Sequence, residues 1–295
     1  IVSRFIRRPV AKADVTPTVS LLIAARNEEK VIAAKLENTL ALDYPPARLQ
    51  IIVVSDASTD RTDEIVRGFA GRGVLLHRVP DGKGKVNALN VTVPLATGEI
   101  LVFSDADSAY ASDALRKLVR SFADPEVGAV TGQERRLATA SGEGVGESLY
   151  ARLDNRIKRL EGEMGSMVMV NGGFFATRRT LYPVLEPHLI HDAIVPCLLK
   201  LQGQRTAYES DALSVETYAL DAAGDFRRRT RTVLQAFYSY LSVPAALNPF
   251  RTGWFAVELF SHRFSRWFVL PWLAVALITN VALAAEGPLY RLLLV

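Results

Sequence analysis

The chain of 295 residues is 49% hydrophobic and carries 35 basic against 31 acidic side chains, a net charge of +4. That composition excludes a disordered chain, and so small a charge excess argues for no nucleic-acid partner. One cysteine, Cys197, and four histidines argue against both a disulfide framework and a Cys/His zinc site.

The chain begins at Ile1 and ends in an apolar run, which reads as a piece of a longer protein. Residues 1–17, with Arg4, Arg7 and Arg8, read as a basic juxtamembrane segment. Strand-like and helix-like runs then alternate. TVSLLIAA (18–25) is a short apolar strand, and residues 27–42 place Val31, Ile32, Leu36 and Leu40 at helical spacing. LQIIVVS (49–55) is a buried strand, followed by a helix that Ser58 and Asp60 can cap. VLLHRV (74–79) is a third strand; a Gly-Lys turn at 81–85 leads into a helix over 86–96. EILVFSDAD (99–107) is a strand ending in acids, followed by a helix over 112–123 and a strand over 127–131. This rhythm predicts an α/β fold, a mostly parallel sheet with helices on both faces.

The second half is less regular. It reads as a charged amphipathic helix (143–162), an aromatic strand after Asn171-Gly172-Gly173, a helix (190–202) and a strand (205–216). An arginine run, 225–231, precedes a helix over 232–246. Residues 248–266 read as an interfacial amphipathic segment. Residues 267–285 are 19 uncharged positions which, as a helix, span roughly 28 Å, close to the ~30 Å core of a bilayer. They read as a transmembrane helix, and 286–295 as the start of a second span.

In parallel sheets ligands bind beyond the carboxyl ends of the strands. Three ends here are polar: Ala25-Arg26-Asn27-Glu28, Ser55-Asp56 and Ser104-Asp105-Ala106-Asp107. Two aspartates one residue apart, with no histidine or cysteine nearby, suit Mg2+ or Mn2+. Lys85, behind a glycine turn and opening a helix, suits a diphosphate. A dinucleotide-binding oxidoreductase would need glycines after the first strand, and AARNEE has none. A phosphatase Asp-x-Asp-x-Thr motif fails at Ala109.

In their order and spacing, SLLIAARNEEKVI, VVSDASTDRT, GKGKVNALN, FSDADS and NGGFFATRR resemble glycosyltransferase family 2, inverting nucleotide-sugar enzymes with a Rossmann-like GT-A fold. The most similar members are the membrane-embedded synthases of cellulose, hyaluronan and poly-N-acetylglucosamine. The resemblance implies a GT-A domain over residues 18–247. It implies nucleotide-sugar contacts from Ala25, Asn27, Glu28, Asp56, Lys85, Asn87, Asp105 and Arg231, and a metal on Asp105 and Asp107. It implies Asp192 as catalytic base, with Asn171, Gly172, Gly173 and His191 on the acceptor side. The partners implied are a nucleotide-sugar donor, with UDP the commonest nucleotide, a lipid-linked or glycan acceptor, and the cell membrane, with the catalytic domain on its cytoplasmic side. His191 stands where the family has Glu. The Gln and Trp of the family's Q-x-x-R-W motif are absent around Arg231, which argues against cellulose-like processive synthesis. The rival reading is a catalytically degenerate, transferase-like subunit of a membrane polysaccharide machine.

Overall fold

The computed structural model describes residues 7–138, 149–218, 222–284 and 286–287. The chain divides into two units, residues 1–246 and 247–295.

The first unit is built on one eight-stranded sheet. Its strands are β1 (Val19–Ala25), β2 (Leu49–Asp56), β3 (Val74–Val79), β4 (Ile100–Asp105), β5 (Ser108–Tyr110), β6 (Val127–Ala138), β7 (Phe174–Arg178) and β8 (Arg205–Tyr218), in the order β3-β2-β1-β4-β7-β6-β8-β5. The first four in that order are parallel, as the alternating sequence predicts. The remainder is mixed. β7 runs antiparallel to both β4 and β6, β6 and β8 are parallel, and β5 is antiparallel to β8. The expectation of a mostly parallel sheet therefore holds for the first half only; the full sheet is mixed.

The central strands are apolar on both faces, as parallel strands covered by helices must be. Leu21, Ile23, Val53 and Val102 pack against α1 (Ile32–Leu40), α2 (Thr62–Gly68) and α4 (Ala114–Val119). Leu22, Ile52, Val54, Leu101 and Phe103 pack on the opposite face against α3 (Lys85–Thr92) and α6 (His191–Leu201). α5 (Leu149–Met164) falls partly within the predicted 143–162; the rest of that stretch lies outside the described residues. α7 (Ala222–Leu241) absorbs the arginine run into one helix, since arginine is a good helix former.

Residues 7–14 lie along this domain. Arg8 makes a bidentate pair with Glu126 at 2.8 Å, Arg7 lies 3.7 Å from Glu163, and Lys12 reaches buried Glu209 at 2.8 Å. Arg7 and Arg8, read from sequence as membrane-flanking charge, thus have acidic partners within the fold. Arg4 lies outside the described residues.

In the second unit, α8 (Pro249–Thr252) precedes a rod, Trp254–Trp267, made of α9 (Trp254–Leu259), a π turn (Phe260–Phe264) and α10 (Ser265–Trp267). After a break at Phe268, α11 (Val269–Leu283) follows at an angle of 68°. Pro271 explains the break: it lacks an N–H, and its ring clashes with the carbonyl four residues back, on Trp267. The predicted 19-residue helix is therefore 15 residues long, about 22 Å. Among the described residues no single helix is long and apolar enough to cross a membrane; the bent pair qualifies by length and composition.

Candidate active site

Sheet order places the site. β1 has β2 on one side and β4 on the other, so the strand order reverses there and a crevice opens beyond their carboxyl ends. Asp105 is in register with Ala24, and Ser55, just before Asp56, pairs with Ala25. Phe174 opposes Ser104, which lays the preceding Gly172-Gly173 turn over Asp105.

The loops after β1 and β2 are laced together. Asn27, with φ of 58°, accepts from the Thr59 backbone N–H at 2.8 Å, and its own N–H donates to Ser58 Oγ at 3.2 Å. The Glu28 N–H donates to Thr62 Oγ1 at 2.8 Å, and the Glu29 N–H to Asp60 at 3.0 Å. Asp60 also accepts from the Thr62 N–H at 3.0 Å, from one residue before the N-cap, which is Arg61 and not Ser58 or Asp60. Ala57 too takes a positive φ, 53°, so this loop turns sharply just after Asp56.

Asp56 is buried. Its Oδ2 accepts from the Gly84 N–H at 3.1 Å and lies 3.4 Å from Arg26; its Oδ1 is buried with no hydrogen-bond partner. A buried unpaired carboxylate oxygen is costly, and a donor group on a bound ligand would relieve it. Lys85, in the first turn of α3, donates to Asp105 Oδ1 at 2.5 Å and to the Gly172 carbonyl at 3.1 Å. Asn87 lies half-buried two residues further on α3. Asn90, the last residue of GKGKVNALN, is structural: it exchanges hydrogen bonds with the Leu185 backbone.

The two glycines are close-approach residues. A Cβ on Gly173 would meet Asp105 Oδ2 at 2.9 Å; one on Gly172 would meet Asp192 Oδ2 at 3.2 Å. One turn thus has Asp105 against one glycine and Asp192 against the other. Asn171 anchors it, donating to the Gly132 carbonyl at 2.5 Å and accepting from Lys158 at 3.0 Å. Asp192 stands in the first turn of α6, where the helix dipole favours a carboxylate. Pro196, four residues on, has no N–H to offer the Asp192 carbonyl, which instead accepts from Val170 N–H at 3.0 Å. That bond ties Asp192 to the segment leading into the glycine turn.

Two predicted residues stand apart from this cluster. Arg231 is exposed on α7, and no hydrogen bond joins it to Asp56, Lys85 or Asp105. His191 is buried, edge-on to Phe103 and Phe175 at 5.5 and 5.0 Å. It faces the core instead of an open acceptor surface.

The acids repel one another. Burial first, then Asp107, Asp105 and Asp60, push the Glu28 carboxyl up to about 7. Burial and Asp105 raise Asp107 as well. Among the described residues no group of three or more His, Cys, Asp or Glu is placed to hold a metal ion. Hard carboxylate donors in a mutually repelling set nonetheless suit Mg2+ or Mn2+, which bind through one or two carboxylates and take further oxygens from phosphate and water. Asp105 and Asp107 would hold it.

Sequence reasoning missed Lys35. It is buried on α1, donates to the Ser108 carbonyl at 2.6 Å and sits 3.6 Å from the centre of the Tyr110 ring. Burial brings its ammonium down to about 7. Tyr110 Oη donates in turn to the Gly173 carbonyl at 2.9 Å. The available signal was a lysine on the buried stripe Ile32, Lys35, Leu36 and Thr39.

The family model "Glycosyl transferase family 2" matches residues 20–184. Beta-monoglucosyldiacylglycerol synthase of Nostoc sp. is 41% identical over 118 residues, 39% of this chain and 25% of that protein. Poly-beta-1,6-N-acetyl-D-glucosamine synthase of Staphylococcus aureus is 28% identical over 232 residues, 76% of this chain and 56% of that one. The chain thus spans about a quarter to about half of these curated relatives. Among solved structures, the mannosyltransferase PcManGT of Pyrobaculum calidifontis, in complex with GDP-Man and Mn2+, matches with a TM-score of 0.71 and 26% identity over 99% of this chain and 88% of that one. Residues 1–349 of S. aureus TarS, in complex with UDP-GlcNAc, share the fold at a TM-score of 0.57 and 20% identity over 86% of this chain and 75% of that one.

Proposed function

The chain belongs to glycosyltransferase family 2, and from that premise we propose that it moves a sugar from a nucleoside-diphosphate sugar to an acceptor hydroxyl, with inversion at the anomeric carbon. One arrangement carries the reading: the Gly172-Gly173 turn is closed on by Asp105 from one side and Asp192 from the other. A hydroxyl is a poor nucleophile until a base takes its proton as the bond forms. Asp192 takes that proton. The sugar–phosphate bond breaks as the acceptor bond forms, and the electron pair leaves with the nucleoside diphosphate. Lys85 stabilises the charge that grows there, and Asp56 offers its unpaired oxygen to the nucleoside. Asp105 and Asp107 are the residues that would hold a magnesium or manganese ion, which would supply Lewis-acid stabilisation of the departing diphosphate.

We propose a UDP-sugar as donor and a lipid-linked or glycan acceptor, in keeping with the names of the Nostoc and Staphylococcus relatives. The bent helical pair of the second unit, with exposed Leu270, Leu273, Leu277 and Ile278, supports attachment to the cell membrane. Arg263 and Arg266 precede α11, so the positive-inside tendency puts the catalytic domain on the cytoplasmic side.

The test is a panel of radiolabelled UDP- and GDP-sugars supplied with Mn2+ to membranes carrying the protein, with product separated into lipid and aqueous fractions. Transfer from a UDP-sugar that stops in excess chelator is expected. Consumption of no donor would contradict the reading, and full turnover in chelator would remove the metal from it.

A further inference from the structure

Lys35 is a poor choice for packing alone. It lies on the buried stripe of α1 between Ile32 and Leu36, where an apolar side chain would avoid the cost of burying an ammonium. Its Nζ donates to the Ser108 carbonyl at 2.6 Å and lies 3.6 Å from the centre of the Tyr110 ring. Asp105 and Asp107 favour its charged form, against the effect of burial.

Both partners belong to β5, which begins directly after Asp107 and stands last in the sheet order. One side of β5 pairs with β8. Side chains of α1 hold the other. Asn38 accepts from the Tyr110 N–H at 2.8 Å and donates to the Tyr110 carbonyl at 2.9 Å, as a neighbouring strand would. Lys35, three residues earlier on the same face of the helix, takes the Ser108 carbonyl. β5 in turn reaches the glycine turn. Tyr110 Oη donates to the Gly173 carbonyl at 2.9 Å, and a Cβ on Gly173 would meet Ser108 Oγ at 3.0 Å. Three residues after Asp107 therefore connect the aspartate pair to that turn.

We propose that Lys35 is a positioning residue: it fixes the Ser108 carbonyl and the Tyr110 ring, and so sets where Asp107 stands and where Tyr110 holds the Gly173 carbonyl. The claim rests on the reading of Asp105 and Asp107 as the pair that would hold the metal. Lys35 is buried and touches neither donor nor acceptor; it acts through β5.

The test uses two variants of the full chain. Lys35→Met keeps most of the side chain's length and loses its donor and its charge. Tyr110→Phe keeps the ring beside the ammonium and loses the hydroxyl. Mn2+ is titrated calorimetrically into each protein at saturating UDP, with GDP in a second arm. Tm is recorded on the same samples, and kcat is measured with the sugar donor that wild type consumes. In Lys35→Met we expect Mn2+ affinity lower by about tenfold or more and kcat lower by roughly tenfold to a hundredfold. In Tyr110→Phe we expect Mn2+ affinity within about twofold of wild type and kcat lower by roughly threefold to tenfold. A merely structural role would lower Tm and leave Mn2+ affinity alone. Lys35→Met with wild-type Mn2+ affinity therefore overturns the proposal, whatever its Tm. If Lys35→Met does not fold, Tyr110→Phe decides, since wild-type kcat in that variant also overturns the proposal. Wild-type protein that binds no Mn2+, or turns over fully in excess chelator, overturns the reading of the aspartates and this proposal with it.

Discussion

Gly172 and Gly173 are approached by two carboxylates from different elements, Asp192 of α6 and Asp105 of β4. Neither glycine has a positive φ, so clearance, and not backbone freedom, is what the site requires of them. Gly173→Ala would press its Cβ onto Asp105 Oδ2 and Ser108 Oγ, which lie 2.9 and 3.0 Å away. Overpacking of this kind costs about 1–3 kcal/mol of stability. Displacing Asp105 should also lower turnover by roughly tenfold or more. Urea midpoints and kcat on the same variant check both; wild-type turnover would contradict the role given to the turn. At this scale the acids were legible, because Asp56, Asp105 and Asp107 each follow an apolar run that must end at a sheet edge. Lys35 was not, because lysines usually reach solvent and only the fold shows one closed in over Tyr110. His191 was placed at the acceptor from its neighbour in sequence. Helical geometry instead turns its ring into the core while Asp192 meets the glycine turn.

The elements that matter most are the loop after β1 and the first turn of α6. The β1 loop carries Glu28 beside Asp105 and Asp107, and its carboxyl is raised to about 7. A carboxyl whose folded pKa lies above its unfolded value of 4.5 favours the folded state when protonated. That contribution is full below pH 4.5 and is lost as pH rises through 7. Glu28→Gln mimics the protonated form. Its Tm should match wild type near pH 4.5 and exceed it by a margin that grows to a plateau above pH 7, in metal-free buffer. A constant margin across that range would contradict the electrostatic account. Helix positions were well legible where apolar spacing was regular, as in α1. Two boundaries were not. Sequence placed the arginine run outside a helix that in fact begins at Ala222, and carried one helix through 267–285 that Pro271 shortens to Val269–Leu283. Pro196 has a further effect that spacing alone could not show, since its value lies in the carbonyl it frees for Val170.

At the scale of the molecule, sheet order does the assembling. The β1/β4 reversal opens the crevice, and antiparallel β7 delivers the glycine turn across it. The parallel half was readable because βαβ crossovers leave an alternating pattern. The mixed half was not, because neither strand direction nor the β6–β8 pairing leaves a mark in local sequence. In the second unit neither described helix alone is long and apolar enough to cross a membrane, while the bent pair qualifies by length and composition. The central claim is that Asp192 deprotonates the acceptor while the nucleotide is held by other residues. Asp192→Asn keeps the side chain's shape and removes its basicity. Sugar transfer and nucleotide affinity, the latter by calorimetry, are to be measured on this variant. The account predicts a kcat lower by roughly 10²–10⁴ with nucleotide affinity close to wild type. Transfer at the wild-type rate would contradict it.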